Sequence, residues 1–243
     1  MAQPRLDLIA FDADDTLWHN ERSYRDARDR FGRLLAAAGV RLDDAAIEAR
    51  IHEVEVANLP YYGYGVSSFA LSLMETAIEL TDGNIPGVHL REVIALAKEM
   101  LSEEVELFPN VREVLTRLSE ICPLMLITKG DLLHQTSKVD RSGLRACFRF
   151  VEVVSDKTAA VYGAILERHG VDPRRFLMIG NSLRSDILPV VEIGGWAVHV
   201  PAELSWSHEH VDVTAEIKRH YFEIATLGEV PGVIDMLTDA VVR

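Results

Sequence analysis

Cysteine is scarce in this chain. Only Cys122 and Cys147 occur among 243 residues. They lack metal-ligand spacing and nothing around either suggests an activated thiol, which argues against a disulfide framework, a thiolate metal site and a cysteine nucleophile. Both read as small apolar residues, and a reducing cytoplasm is the expected compartment. Positive charge is also short, with 25 Lys and Arg against 38 Asp and Glu, for a net charge of −13. A nucleic-acid polymer or an anionic membrane surface would call for a basic stripe, and none is found. Any anionic substrate must therefore be attracted locally, by a metal or by individual Lys and Arg residues. No apolar run reaches transmembrane length, and the first five residues lead straight into a strand-like run without a signal-peptide core. Repeats and low-complexity tracts are missing as well.

What remains is a globular composition, 48% hydrophobic, ample for one domain with an insertion or for two modest domains. Leu8 to Phe11 form an apolar run of the kind found in a strand buried on both faces of a parallel sheet, and the run stops at Asp12, Asp14 and Asp15. Open α/β sheets bind ligands at such carboxyl ends. Three acids in four positions repel one another unless a cation shares them. A hard divalent ion such as Mg²⁺ fits, since it takes oxygen ligands and keeps several waters. Taken alone, the same acids also read as a solvated turn or a helix cap.

Beyond Trp18 the periodicity turns helical for about eighty residues. Tyr24, Ala27, Phe31, Leu34, Leu35 and Ala38 predict a first helix closed by Gly39. A second should start at Asp43 or Asp44 and end before Asn58-Leu59-Pro60, leaving Tyr61 to Gly65 as a mobile aromatic loop. Phe69 to Leu80 and Leu90 to Leu101 predict two more. Alternation of strand and helix resumes at Phe108. Strands are expected at Leu124–Ile127, Phe150–Val154, Phe176–Ile179 and Trp196–Val200, with a short edge strand within Tyr221–Ala225. The fold expected is α/β, a doubly wound parallel sheet with right-handed crossovers, formed by 1–18 and 101–243, with a helical domain of 19–100 inserted.

Four of these strand ends present, in order, Asp12-Ala13-Asp14, Thr128, Lys157 and Gly180-Asn181-Ser182-Leu183-Arg184-Ser185-Asp186. This set resembles the four motifs of the haloacid dehalogenase superfamily of hydrolases, over essentially the whole chain. The resemblance implies a Rossmann-like core with an α-helical cap inserted after the first motif, and phosphoryl chemistry that uses Mg²⁺. By that resemblance Asp12 is the nucleophile that forms an aspartyl-phosphate, and Asp14 is first the acid for the leaving group and then the base for water. Thr128 and the backbone N–H groups near Ala13 and Lys129 would bind phosphoryl oxygens, and Lys157 would neutralise charge on nucleophile and phosphoryl group. Asp12, the main-chain carbonyl of Asp14, and Asp186 would hold the metal, with Asn181 behind them orienting a metal-bound water. Family members often carry Gly-Asp where this chain has Gly180-Asn181, which removes one negative charge near the metal.

Asp14 also discriminates between reactions within the resemblance, because dehalogenases lack an acid there and an oxygen leaving group needs one. The reading is a phosphomonoester hydrolase acting on a small phosphorylated metabolite, as a monomer or homodimer. A phosphomutase on the same scaffold is the enzymatic alternative, and a non-catalytic phosphate-binding or interaction module is the other. His19 and Arg22 beside Asp14, and Tyr61, Tyr62 and Tyr64 in the cap, are candidate contacts for the leaving group. His208-Glu209-His210 lacks a third ligand nearby and is expected to be a solvated loop, while Trp196 and Trp206 read as packing residues.

Overall fold

The structure is a computed structural model that describes residues 6–239 except 205 and 210. Its contacts divide the chain into two units. One comprises the chain up to His19, Val105–Lys129 and everything from Gln135; the other comprises Asn20–Glu104 with Gly130–His134.

In chain order, β1 (Leu8–Phe11) is followed by four helices, α1 (Glu21–Ala37), α2 (Asp44–Tyr62), α3 (Val66–Leu80) and α4 (Gly87–Ser102). Then come α5 (Val111–Ser119), β2 (Leu124–Lys129), α6 (Leu132–Arg141), β3 (Phe150–Val154), α7 (Ala159–His169), β4 (Phe176–Gly180), α8 (Leu188–Glu192), β5 (Trp196–His199), β6 (Phe222–Glu223) and α9 (Val230–Asp239). All strand pairs are parallel, in the order β3-β2-β1-β4-β5-β6, so β1 lies inside the sheet between β2 and β4. The connection order reverses on either side of β1, which makes its carboxyl end the place where such sheets open a crevice.

The unbroken apolar runs split between two layers by the two-residue period of a strand. Ile9, Phe11, Leu124, Leu126, Leu177, Ile179 and Val198 pack with α5 and α9 on one face. Leu8, Ala10, Met125, Ile127, Phe176, Met178 and Ala197 pack with α7 and with Ile187 and Val190 on the other. β6 is shorter than the edge strand expected from Tyr221 to Ala225, being two residues long. Asn110 is the N-cap of α5 in a left-handed conformation.

The helical unit has its own core, with Ala27, Phe31 and Leu35 of α1 among Ile47 and Ile51 of α2, Phe69, Leu73 and Ala77 of α3, and Val93 and Leu96 of α4. Asp43 caps α2 by accepting from Ala46 N at 2.8 Å. One expectation fails here: α2 runs through Pro60 to Tyr62, and Gly63 caps it. The residue ahead of the break explains this. Asn58 is buried and donates to Ser72 Oγ at 3.1 Å and to Glu75 Oε2 at 2.7 Å, which pins the last turn to α3. Tertiary packing thereby outweighs the one helical hydrogen bond that Pro60 cannot donate. Tyr61 and Tyr62 are the helix's final residues rather than part of a loop, and both are exposed, Tyr61 at 80%.

Candidate active site

Asp12 directly follows β1, and its N–H donates to Ile179 O of β4 at 2.9 Å, so two central strands fix its backbone. The next residues turn sharply. Leu17 N donates to Ala13 O at 2.8 Å and Asp15 N to Trp18 O at 2.8 Å, with Asp15 at φ 58°. Asp is among the few side chains that tolerate this left-handed region. The turn folds Thr16 back onto Asp12, where its hydroxyl donates to Oδ2 at 2.9 Å.

Lys157, 3% exposed, reaches Asp12 Oδ1 at 2.5 Å and Asp186 Oδ1 at 2.7 Å. Asp186 sits on the π-helical turn Leu183–Ile187, where Ser182 N donates to its Oδ2 at 3.0 Å. That carboxylate lies across Gly180, and a Cβ there would fall inside it, so the turn requires glycine. The side-chain nitrogen of Asn181, in the orientation that satisfies its neighbours, lies 3.2 Å from Asp12 Oδ2 and 3.2 Å from the main-chain carbonyl of Asp14. Burial, followed by the charge of Asp186, raises the Asp12 pKa well above the usual carboxylate range despite the opposing Lys157 ammonium. Lys157 is itself pushed up, its two carboxylates outweighing burial.

Asp14 points elsewhere. Its carboxylate accepts from Trp18 Nε1 at 2.6 Å and Gln135 Nε2 at 2.8 Å and is ion-paired with Lys138. Burial would raise its pKa, but Lys138, Gln135 and Trp18 together hold it below the ordinary value. Thr128 is buried at the end of β2. The next residue, Lys129, has its ammonium on Glu209 and, at 2.9 Å, on Ser185 Oγ. His19 stacks on Phe108 with ring centroids 4.0 Å apart, and Arg22 is an exposed residue in the first turn of α1.

Three participants escaped the sequence reading. Gln135 and Lys138 lie three apart on one face of α6, a polar spacing on an otherwise ordinary amphipathic helix. Glu209 contradicts the expected solvated loop: its side chain is 14% exposed and accepts from Ser182 Oγ at 2.5 Å and Ser185 Oγ at 2.7 Å besides Lys129. Burial raises its pKa, but Lys129 and the two serines outweigh that and hold it at about 2. His210 of the same triplet lies outside the described residues.

No cluster of three or more His, Cys, Asp or Glu side chains suited to a metal occurs among the described residues. The donors present still suit Mg²⁺. Asp12 and Asp186 are two buried carboxylates sharing one ammonium, the Asp14 carbonyl is beside them, and Mg²⁺ commonly takes one or two carboxylates with water and phosphate filling the rest.

The match to a family model for haloacid dehalogenase-like hydrolases spans residues 6–194. The chain belongs to that family. A haloacid dehalogenase-like family hydrolase from Xanthomonas campestris shares 34% identity and a TM-score of 0.85, over 97% of this chain and 93% of its own. The N-acylneuraminate-9-phosphatases of Rattus norvegicus and Mus musculus are 22% and 24% identical, each over 98% of this chain and 97% of the relative. No helix among the described residues is long and apolar enough to cross a membrane.

Proposed function

We propose that this hydrolase is a Mg²⁺-dependent phosphomonoesterase that acts on a small phosphorylated metabolite through a phosphoryl group carried on Asp12. The observation that carries the reading is the meeting of Asp12 and Asp186 on Lys157 Nζ, at 2.5 and 2.7 Å, at the carboxyl ends of neighbouring strands. Phosphoryl transfer needs a nucleophile in line, positive charge on the phosphoryl oxygens and a proton for the leaving alkoxide. The curated relatives, being phosphatases by name, support the same choice.

Asp12, Asp186 and the Asp14 carbonyl would hold Mg²⁺, which when bound supplies charge neutralisation for the phosphoryl oxygens. An Asp12 oxygen attacks phosphorus and the P–O bond to the ester oxygen breaks, with Asp14 giving its proton to that oxygen. Asp14 is held as a carboxylate by Lys138, Gln135 and Trp18, so it must take up a proton and loosen that hold before the first step. For the second step it is already a base: it takes a proton from water, the hydroxide attacks phosphorus, and Asp12 leaves with inorganic phosphate released. Lys157 keeps the charge of Asp12 compensated throughout, and Thr128 with the backbone N–H groups of Ala13 and Lys129 receives phosphoryl oxygens.

The test is hydrolysis of para-nitrophenyl phosphate and a panel of phosphorylated metabolites, with and without Mg²⁺, starting from N-acylneuraminate 9-phosphate. Mg²⁺-dependent phosphate release is expected. Isomerisation that requires a bisphosphate would instead reveal a phosphomutase, and binding without turnover would leave a non-catalytic module.

A further inference from the structure

Glu209 belongs to none of the four strand ends, yet its carboxylate joins two of them. One oxygen, Oε1, pairs with Lys129, the residue after Thr128. The other, Oε2, takes both serine hydroxyls of the fourth turn, Ser182 at 2.5 Å and Ser185 at 2.7 Å. Those serines hold the turn together: Ser182 Oγ accepts from Ser185 N at 3.0 Å, and Ser182 N donates to Asp186 Oδ2 at 3.0 Å. A hydroxyl has one proton to give, and Glu209 receives it from each serine, which leaves their lone pairs for Ser185 N and for Lys129. The segment carrying Glu209 is tied down again where Arg184 donates to His208 O at 3.0 Å.

We infer that Glu209 is a positioning residue for the metal site, clamping the fourth turn so that Asp186 is aimed before a cation arrives. The inference rests on the Mg²⁺ reading given above. Partners one shell out orient the groups that touch a metal, and their loss commonly costs about 10–100-fold in metal affinity. Asn181 makes the role more pressing here, because the turn brings one formal charge fewer than a Gly-Asp pair would and depends more on the aim of Asp186.

The split of roles between the two oxygens makes the clamp testable. Mg²⁺ affinity is measured on the intact chain by titration calorimetry, with thermal melting recorded for each variant. Glu209→Ala should weaken Mg²⁺ binding about tenfold or more, and Ser182→Ala should reproduce that loss. Glu209→Gln combined with Lys129→Met should bind near the wild-type level, since the amide oxygen still accepts from both serines and no ammonium faces the amide nitrogen. Wild-type affinity in a folded Glu209→Ala would overturn the inference. If that variant does not fold, Ser182→Ala decides alone, with unchanged affinity again overturning it. A wild-type chain that binds no Mg²⁺ at all would take down the metal reading together with the clamp, an outcome distinct from a normal wild type with a normal variant.

Discussion

Arg28 in the helical unit and Lys157 in the α/β unit are each buried among carboxylates, and the two solve the problem differently. In the helical unit Arg28 meets Glu21 at 3.0 Å, Glu55 at 3.1 Å and Glu48 at 3.4 Å, with its guanidinium over Phe69, 5.2 Å from the ring centroid. The planar fork spends its donors on three fixed partners, and Glu21 and Glu55, pushed up by burial, stay tied to it. In the α/β unit Lys157 is a compact point charge between Asp12 and Asp186, whose remaining oxygens meet Thr16, Asn181 and the Ser182 N–H. An ammonium of that kind can share its carboxylates with a second cation, while the guanidinium spreads its charge over three carboxylates. Under the proposed function, buried charge serves chemistry in one unit and architecture in the other.

The sharpest way to break this comparison is through turnover. Asp12→Asn should lower kcat on the order of 10⁴-fold or more, as removal of a nucleophile does elsewhere, while circular dichroism stays native because the change relieves acidic crowding and opens no cavity. Retained turnover would remove Asp12 from the chemistry. Next in size are the two cations. Lys157→Met and Arg28→Met each strand buried carboxylates and should cost about 3–5 kcal/mol of stability. Added Mg²⁺ should recover melting in the Lys157 variant alone, and equal recovery in both would dissolve the distinction drawn here.

A smaller effect separates the steps. Asp14→Asn should slow esters of basic alcohols far more than para-nitrophenyl phosphate in single-turnover phosphorylation, because only the former need a proton to leave. Uniform slowing would count against the acid role. Smallest of all, Tyr61→Ala with Tyr62→Ala should change stability by less than about 0.5 kcal/mol, as exposed sites usually do. The same pair should raise KM for the preferred metabolite more than for para-nitrophenyl phosphate if the helical unit selects substrate. Parallel changes for both substrates would make these rings a surface feature only.

How much of this was legible beforehand follows the range of the physics. Runs such as Phe176–Ile179 announce strands because a fully buried strand has no polar face, and Asp43 and Gly39 announce helix ends because backbone groups there need partners or a left-handed turn. The strand-end positions of Asp12, Lys157 and Asp186 were readable for the same reason. Their partners were not. Lys138 reaches Asp14 and Glu209 reaches Lys129 across long stretches of chain, and Glu209 lies in a polar segment with no periodicity to flag it. Pro60 misled because its local penalty was visible and the anchoring of Asn58 was not.

The interior place of β1 also governs the order of events during synthesis. Ile9 finds its register partner at Leu124 and Leu8 at Phe176, so β1 has no sheet partner until the residues of β2, and then those of β4, have followed. Residues of α1 to α4 emerge in the interval, and their contacts are local enough to form at once. Until β2 is made, the wholly apolar Leu8–Phe11 is an unpaired strand of the kind that folded proteins keep covered.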